Sequence, residues 1–597
     1  MTTNEKIAKL RLLMKERKIS AYIVSSPDYH QSEYVAEYFK ARHFMSAFTG
    51  YVGTLAVTAD ESALWTDGRY FTQAELQLNN SEVKLQKMGE PGVPTVAEYL
   101  SERLGEGGTL AFDGRTIALK QGKEFEKMVT APKKGSIEYN LDLVDAVWDT
   151  RPALPSEPVF IHELKYCGES CASKLARLRE KMRQLGTSVH IITTLDDIAW
   201  LFNIRGSDVE FVPFTLCYAI VSHNDAQLFI DERKLDAQVK SHLAENGVHL
   251  KNYNDIYAAV KTFAKSDTVL IDPDRINYSM YANLAHEAEI IEAQNPTMMF
   301  KAIKNTVQIE HIKNAHILEG VVFTKFIYWI KKNIGAVPLT EISAAQKLTD
   351  LRSEQKGYHS LGFSPISGYA EHGAIIHYRA TEETNKDLAP QGFYLIDSGG
   401  QYYGGTTDTT RTLALGPLTA EQKKHYTAVL KAHLSLSALK FLHGCKGSQV
   451  DMAARAPMWA LGLDYKHGTG HGIGQFLGGH EGPARIIWRA PEPANETVLE
   501  PGMLFSNEPG FYLVGQYGIR LENTILVTKA EQNEFGQFLY MQPLTFTPFE
   551  VDAIEASYLT TDEKRHLNEY HQDVYKVIAP HLAQEERQWL EACTKPL

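Results

Sequence analysis

The sequence predicts an α/β (α+β) protein in which two related N-terminal domains precede a larger third domain. The first observation is a repeat. The segment LWTDGR at 64–69 recurs as LFIDER at 228–233, and a matching apolar strand and turn lie upstream of each copy, at 21–28 and 189–196. The second observation is a long amphipathic helix pattern from 306 to 332, followed by glycine-rich segments typical of β-hairpins. At 597 residues, the chain is also too long for a single hydrophobic core.

Local signals divide the chain further. The segment RPALPSEP at 151–158 contains three prolines and is typical of a linker. Thr419 and Gln422 form a capping-box pattern, which predicts a helix that ends near His443. The last part of the chain is helical and amphipathic, and we expect it to serve packing or dimerisation. The predicted regions are 1–155, 156–305, 306–545 and 546–597.

Composition narrows the class of protein. The formal net charge is -12 and the chain contains no basic run that would neutralise phosphates, so we expect no nucleic-acid partner. The N-terminus lacks the apolar core of a signal peptide, and no stretch approaches the roughly 18 apolar residues of a spanning helix. The five cysteines are scattered and odd in number, which favours reduced thiols over a disulfide framework. We therefore expect a cytoplasmic protein without a membrane partner.

Two aspartates occupy unusual positions in the segment FYLIDSGGQYYGGTTDTTRTLALG at 393–416. Asp397 follows four apolar residues, and Asp408 lies in a threonine-rich strand. Either residue alone could be a turn or cap residue. However, a carboxylate at the edge of a buried strand requires a partner, so both are candidate ligands.

A glycine-rich segment, KHGTGHGIGQFLGGHEGP at 466–483, carries His467, His471 and His480. The four-residue spacing of the first two resembles helical zinc-protease motifs, but the glycines disfavour a helix and the expected glutamate is missing. Each histidine alone could be an ordinary surface or core residue. Their clustering among glycines predicts instead a loop with imidazoles facing one cavity.

A third segment, PGMLFSNEPGFYLVGQYGIRLENTILV at 501–527, is typical of a hairpin. Glu508 ends one apolar strand, and Arg520 and Glu522 lie in the next. Unpaired charges would be costly in such strands. Both glutamates are therefore candidate ligands as well.

The combined set contains four carboxylates and one imidazole. Four negative charges in one place repel strongly unless cations lie between them. Two divalent ions roughly 3.5–4 Å apart would balance the charge and would generate and hold a nucleophilic hydroxide. The oxygen-rich set favours Mn, Mg, Co or Zn over copper or iron–sulfur chemistry.

The motifs resemble the signatures of the pita-bread metallopeptidases (M24), and within them the three-domain Xaa-Pro aminopeptidases (aminopeptidase P). The resemblance extends into the N-terminal region, where it implies two creatinase-like domains before a pita-bread catalytic domain, and it covers nearly the whole chain. The motifs that carry it are YHQSEY (29–34), WTDGRYF (65–71), DDIAWLFNIRGSDVE (196–210), GAIIHY (373–378), IDSGGQYYGGTTDTTRT (396–412), HGTGHGIG (467–474), HEGP (480–483) and SNEPGFY with GIRLENT (506–524).

The resemblance also implies roles for individual residues. The metal ligands would be Asp397, Asp408, His471, Glu508 and Glu522. Non-ligand histidines that orient substrate and stabilise the oxyanion would be His377, His467 and His480, with Arg520 and Tyr512 beside the metals. The implied cofactor is a pair of divalent ions, Mn(II) first, with Zn(II) or Co(II) as alternatives. A homodimer formed through the catalytic part is also implied.

The function expected on this basis is hydrolysis of the first peptide bond in peptides that have proline second. A water or hydroxide bridging the two metals would attack the carbonyl of the first residue, Glu508 would accept its proton, and His480 would stabilise the oxyanion. Three alternatives are weighed against it. A prolidase-like dipeptidase would use the same ligands on a shorter chain, a creatinase-like enzyme would dispense with the metals, and a non-catalytic peptide- or protein-binding module would have lost ligands.

Overall fold

The structure is a computed structural model that describes residues 1–490 and 495–597, without the side chains of 131–133. The chain divides into two compact units. The first contains Met1–Leu164 and Glu169–Met298, and the second contains Lys165–Gly168 and Met299–Leu597. In the part of the chain that is described, no helix has the length and apolar character needed to cross a membrane.

The first unit contains two six-stranded sheets with the same internal arrangement. In both, the neighbouring strand pairs run parallel, antiparallel, antiparallel, parallel and parallel across the sheet. In spatial order, the strands are Lys84–Lys87, Ser62–Thr66, Thr54–Thr58, Ala21–Ser25, Thr109–Phe112 and Ser136–Glu138 in the first sheet, and Val248–Lys251, Ala226–Ile230, Cys217–Ser222, Val189–Ile192, Thr268–Ile271 and Glu289–Glu292 in the second.

The repeat in the sequence is confirmed as a structural repeat. Ser62–Thr66 and Ala226–Ile230 are each the second strand of their sheet, and both end in a turn closed by an Asp–Arg pair. Ala21–Ser25 and Val189–Ile192 are each the fourth strand. The proline-rich segment at 151–158 forms neither helix nor strand.

Helices flank the sheets of the first unit. Many begin at a capped residue: the Thr2 and Thr95 side chains each accept from the backbone three residues on, in capping boxes with Glu5 and Glu98. The helices are Thr3–Glu16, Ala41–Ser46, Phe71–Leu78, Val96–Arg103, Leu119–Lys133, Cys171–Gln184, Leu195–Phe202, Ala237–Glu245, Ile256–Ala259, Tyr278–Ala282 and Pro296–Ala302, and a short pair of strands joins Phe160–Ile161 to Ile204–Arg205.

The second unit begins with the predicted long helix, Thr306–Asn333, capped by Asn305. The expected hairpins are also present: Phe393–Ser398 pairs antiparallel with Thr409–Ala414, and Leu504–Asn507 pairs with Asn523–Asn533. The remaining helices and strands are Glu341–Ser353, Tyr358–Leu361, Ile366–Tyr369, Gly400–Tyr402, Gly405–Thr406, Ala420–Ser437, Lys440–Leu442, Gly447–Trp459, Gly470–Gly472, Glu481–Ile486, Gly510–Leu513, Tyr517–Arg520, Gly536–Pro543, Thr561–Ile578 and Gln584–Cys593, with Leu164–Cys167 as a short helix.

One predicted boundary is wrong. The helix that begins after Thr419 was expected to end near His443, but it ends at Ser437. The residues beyond it form the strand Lys440–Leu442, which pairs antiparallel with Phe538, Leu539 and Tyr540. This edge strand satisfies the backbone hydrogen bonds that a longer helix would have used.

Candidate metal centre

The five predicted ligands lie within or directly next to five strands. Asp397 lies within Phe393–Ser398, and His471 lies within Gly470–Gly472. The other three lie next to strand ends: Asp408 directly precedes Thr409–Ala414, Glu508 directly follows Leu504–Asn507, and Glu522 directly precedes Asn523–Asn533. The sequence prediction had Asp408 and Glu522 inside strands. They lie one residue outside, where side-chain direction no longer follows the strand alternation.

Backbone hydrogen bonds hold these strand ends together. The Glu522 amide donates to the Thr410 carbonyl at 3.1 Å, and the Glu508 amide donates to the Thr469 carbonyl at 2.8 Å. As a result, ligand atoms of Asp408, His471 and Glu522 all lie within 4.8 Å of one another.

The orientation of His471 indicates a cation. Its Nδ1 lies 3.0 Å from the Gly472 carbonyl oxygen, which can only accept, so Nδ1 carries the proton of the neutral ring. Its Nε2 then presents a lone pair, 3.4 Å from Glu508 Oε1 and 3.6 Å from Asp408 Oδ2. Three acceptors facing one another repel unless a cation lies between them. A metal-ligating histidine commonly donates its other ring N–H to a backbone carbonyl in this way.

Asp397 provides a second indication. Its Oδ2 accepts from Arg520 Nη2 at 2.6 Å, whereas its Oδ1 is buried and accepts no hydrogen bond from the described residues. A buried carboxylate oxygen without a donor is costly. The donor set and the unsatisfied oxygen therefore fit a divalent cation.

The electrostatics of the carboxylates agree with this reading. Burial raises the pKa of Asp408, and the charges of Asp397 and Glu508 raise it further. Burial also raises the pKa of Glu508 to about 7 and that of Glu522 well above its usual range, the latter with a contribution from Asp408. Without cations these groups would hold protons near neutral pH. Bound divalent cations would restore their ionised forms.

A series of hydrogen bonds connects His467 to Asp397, one of the candidate metal ligands. His467 Nδ1 donates to the Gly468 carbonyl at 2.7 Å, so its Nε2 accepts from the Tyr512 hydroxyl at 2.9 Å. Arg520 Nη1 donates to the same hydroxyl at 2.9 Å, while its Nη2 holds Asp397. Hydrogen bonds thus join four predicted site residues in series: His467, Tyr512, Arg520 and Asp397.

The two remaining predicted histidines lie on separate loops. The ring of His480 meets that of His471 edge-on, with centroids 4.0 Å apart. His377 follows the short helical turn Ala370–Ala374. That turn packs closely on the strand carrying Arg520, because a Cβ added to Gly518 would lie 1.7 Å from the Gly373 carbonyl oxygen.

Sequence reasoning missed the polar residues that support the ligands. Thr410 donates to Glu522 Oε2 at 2.6 Å, and Ser506 donates to Glu508 Oε1 at 3.0 Å. The Ser506 hydroxyl also accepts from the His471 amide. The threonine-rich run around Thr410 was the signal that could have identified one of them.

Glu341 was missed for a different reason. This fully buried carboxylate lies at the start of a helix, where a capping role is the ordinary expectation. Instead it accepts from the Tyr369 amide at 2.7 Å, His372 Nδ1 at 2.9 Å and the Tyr378 hydroxyl at 2.9 Å. Glu341 therefore holds both ends of the loop that carries His377.

Comparisons with known proteins agree with this geometry. Residues 6–142 and 150–308 each match the creatinase/prolidase N-terminal domain, residues 310–529 match metallopeptidase family M24, and residues 537–597 match the C-terminal region of that family. Aminopeptidase P2 from Arabidopsis thaliana is 38% identical, with 100% of this chain and 89% of that protein covered.

Two solved structures resemble the chain to different extents. An X-prolyl aminopeptidase from Caenorhabditis elegans, described as a cytosolic enzyme with a di-nuclear active site, superposes with a TM-score of 0.96 at 34% identity, and the match covers 100% of both chains. A Xaa-Pro dipeptidase from Bacillus anthracis reaches a TM-score of 0.51 at 25% identity and covers 64% of this chain and 99% of its own. The predicted fold class is confirmed. The chain belongs to metallopeptidase family M24, among its Xaa-Pro aminopeptidases.

Proposed function

We propose that the chain is a metal-dependent aminopeptidase that removes the first residue from peptides with proline in the second position. The observation that carries the proposal is the arrangement around His471, whose Nε2 faces the carboxylates of Asp408 and Glu508 while its Nδ1 donates to the Gly472 carbonyl. Such an arrangement suits a divalent cation, and the Arabidopsis thaliana and Caenorhabditis elegans proteins that match the whole chain are an aminopeptidase P and an X-prolyl aminopeptidase.

The metal-holding residues in this proposal are Asp397, Asp408, His471, Glu508 and Glu522. We propose two divalent ions, with Mn(II) preferred and Zn(II) or Co(II) as alternatives, because the set is rich in hard oxygen donors. When bound, such ions lower the pKa of a coordinated water and polarise the scissile carbonyl.

Glu508 is proposed as the group that takes up the proton of the attacking water. Burial raises the pKa of this carboxyl to about 7 when no cation is bound, and bound cations would lower it, which leaves an ionised carboxylate that can accept a proton. Its Oε1 already accepts from Ser506, so we assign the proton to Oε2.

The remaining site residues are proposed to orient substrate and to stabilise charge. His480 and His377 would donate to the oxygen on which negative charge develops. The hydrogen bonds that link His467, Tyr512 and Arg520 would fix the position of Asp397 and of the substrate backbone.

Proline in the second position has a simple physical rationale. Proline lacks a backbone N–H, so a pocket that accepts its ring has no donor to satisfy at that position. An ordinary second residue would bring an N–H that must be desolvated, and the pocket could reject it at that cost.

The dipeptidase alternative is less well supported. The dipeptidase from Bacillus anthracis corresponds to only 64% of this chain. A non-catalytic binding module is also disfavoured, because all five candidate ligands remain in this sequence.

Location, assembly and the domain limits are further parts of the proposal. We infer a cytoplasmic enzyme from its likeness to the cytosolic protein of Caenorhabditis elegans. We also propose a homodimer, which light scattering on the purified protein would test, and four regions with limits at 155, 305 and 545. The C-terminal helix Thr561–Ile578 already packs within its own chain through Leu567, Val574 and Ile578.

The decisive experiment uses three peptides and the chelator-stripped protein. Arg-Pro-Pro, Ala-Pro and Arg-Ala-Ala would each be incubated with Mn(II), with Zn(II) or without metal. We expect free arginine from Arg-Pro-Pro and not from Arg-Ala-Ala, and only after metal is restored.

Two variants complete this experiment. Asp397→Asn should abolish the release of arginine, whereas Glu382→Gln, at an exposed carboxylate, should behave as the wild type. Cleavage of Ala-Pro alone would establish the dipeptidase alternative, and metal binding without cleavage of any peptide would contradict the proposed specificity.

A further inference from the structure

We propose that the buried ion pair of Glu319 and Arg352 positions the metal site by holding Asp397 and Asp408 through the residues next to them in the chain. Neither charged residue was among the predicted site residues. The inference rests on the proposed metal-dependent function. It assigns these two helical residues as positioning residues, without contact to substrate.

The pair itself is closed off from solvent. Glu319 lies on the helix Thr306–Asn333 and is 1% exposed, and Arg352 lies on the helix Glu341–Ser353 and is 0% exposed. Arg352 Nε lies 3.0 and 3.1 Å from the two Glu319 oxygens, and its Nη2 lies 2.5 Å from Oε1. Burial of such a pair brings little net stability, because desolvation offsets the attraction. A role other than stabilisation is therefore reasonable.

The remaining hydrogen bonds of the pair go to the segment that joins the two aspartates. Arg352 Nη1 donates to Ser398 Oγ at 2.9 Å, and Thr407 Oγ1 donates to Glu319 Oε2 at 3.3 Å. Ser398 directly follows Asp397, and Thr407 directly precedes Asp408. One buried pair thus contacts the neighbour of each aspartate.

The backbone between the aspartates is packed tightly around the pair. A Cβ added to Gly400 would lie 2.7 Å from Arg352 Cδ, and one added to Gly399 would lie 2.0 Å from the Thr407 carbonyl oxygen. The Gly400 amide donates to Thr407 Oγ1 at 3.0 Å. Since glycine alone permits these approaches, Gly400 is explained by its contact with Arg352 and Gly399 by its contact with the Thr407 backbone.

Both aspartates must be held to within a fraction of an ångström for two ions to bind. The ion pair is anchored on two long helices, so it ties a loop-borne site to rigid elements. Tyr402 adds a third contact, donating to Glu319 Oε2 at 2.8 Å. Loss of the pair would loosen the relative position of the two aspartates.

The first unit offers a matched control. Lys234 and Asp208 also form a buried ion pair, with Nζ and Oδ2 2.6 Å apart and side chains 2% and 0% exposed. Asp208 also accepts from the Thr215 hydroxyl and from the Leu216 and Glu157 amides, all within the same unit. Disruption of this pair reports on stability alone.

The test measures Mn(II) binding by titration calorimetry on the chelator-stripped full chain, together with the melting temperature. We expect Glu319→Gln to weaken Mn(II) binding by about 10- to 100-fold. Arg352→Lys keeps the positive charge but not the forked geometry, and it should also weaken binding. Lys234→Met should lower the melting temperature while leaving the Mn(II) affinity within about twofold of the wild type.

A milder variant tests the proposal even if Glu319→Gln fails to fold. Ser398→Ala removes one contact between the pair and the segment, and we expect weaker Mn(II) binding at a nearly unchanged melting temperature. If Glu319→Gln and Ser398→Ala both bind Mn(II) as the wild type does, the positioning role is overturned while the proposed function stands. If the wild type itself binds no metal, the proposed function fails and the inference falls with it.

Discussion

Two buried carboxylates, Asp208 in the first unit and Asp397 in the second, differ in how their oxygens are hydrogen-bonded. In the first unit, Asp208 accepts from Lys234, Thr215 and the amides of Leu216 and Glu157, so both of its oxygens are satisfied by the protein. In the second unit, one oxygen of Asp397 is buried and accepts no hydrogen bond from the residues described. All oxygens of Asp208 have protein donors, whereas Asp397 keeps one oxygen that is available to the proposed cation.

This difference separates structural charge from functional charge. A buried ion pair with all its bonds made has no capacity left for a ligand. Carboxylates that raise one another's pKa values keep that capacity at a cost in stability, which is typical of functional sites. Substitutions at residues of the candidate metal site and at the matched residues of the first unit should therefore have different effects, and the following experiments test this from the largest effect to the smallest.

The largest effect is expected at a ligand. Asp408→Asn should reduce kcat/KM on Arg-Pro-Pro on the order of 10³-fold or more, because both the nucleophile and the polarised carbonyl depend on the metals. Elemental analysis should show fewer than two ions per chain. Asp208→Asn should instead cost about 3–5 kcal/mol of stability, since it leaves Lys234 buried without its charge partner. The folded fraction of Asp208→Asn should retain its full metal content. Loss of metal from this variant would contradict the purely structural role given to Asp208.

The next effect concerns the pH dependence of stability without metal. Glu508 has a folded pKa of about 7, raised by burial, so its contribution to stability is fully present below about pH 4.5 and is lost as pH rises through 7. This loss amounts to about 3 kcal/mol for Glu508 alone. Asp408 and Glu522 shift in the same direction. The stabilisation conferred by Mn(II) should therefore increase between pH 5 and pH 7.5.

The measurement compares melting temperatures of stripped and Mn(II)-loaded protein at each pH. Buried histidines have the opposite effect: they lower the stability of both the stripped and the Mn(II)-loaded protein as the pH falls. The pKa of His571 is lowered to about 4 by burial, which removes stability as pH falls below about 6.5. The difference between the two forms cancels that contribution. A difference that does not change with pH would mean that the carboxylates do not hold protons in the stripped protein.

A smaller effect is expected at Tyr512. Tyr512→Phe removes the hydroxyl between His467 and Arg520, and kcat should fall by about 10- to 100-fold with the metal content unchanged. The matched variant in the first unit is Tyr22→Phe, which removes a bond to the Leu141 carbonyl. It should cost about 1 kcal/mol of stability and leave kcat unaltered. Equal kinetic effects of the two variants would refute the assigned role.

The smallest effect is expected at Glu341. Glu341→Gln weakens the contacts that hold the His377 loop, and we expect KM for Arg-Pro-Pro to rise by about 10-fold while Mn(II) affinity stays constant. Steady-state kinetics and titration calorimetry would distinguish the two quantities. A loss of metal binding would instead assign Glu341 to the metal site.

Several features could be predicted because they depend on local patterns. The long helix from Thr306 follows from apolar periodicity and a capping box, and the repeated sheets follow from two similar segments. The five candidate ligands stand out since each places a charge or an imidazole in an apolar or glycine-rich context. Their ligand roles remain a prediction until metal binding is measured.

Other features could not be predicted, because they depend on contacts between distant segments. Glu319 and Arg352 lie on ordinary helices, where a charged residue is normally a solvated surface residue, and only packing reveals that both are buried. The end of the helix at Ser437 was likewise decided by pairing with a strand a hundred residues later.

The sequence by itself determined the chemistry of this protein: which residue types are available, the strands and loops that carry them, and the family to which they point. Tertiary structure alone decided how those residues are held. It brings Asp408, His471 and Glu522 within reach of one ion and places a buried ion pair behind Asp397 and Asp408. The physical reason is that ligand identity is a local property of the chain, whereas burial and geometry arise only when distant segments pack together.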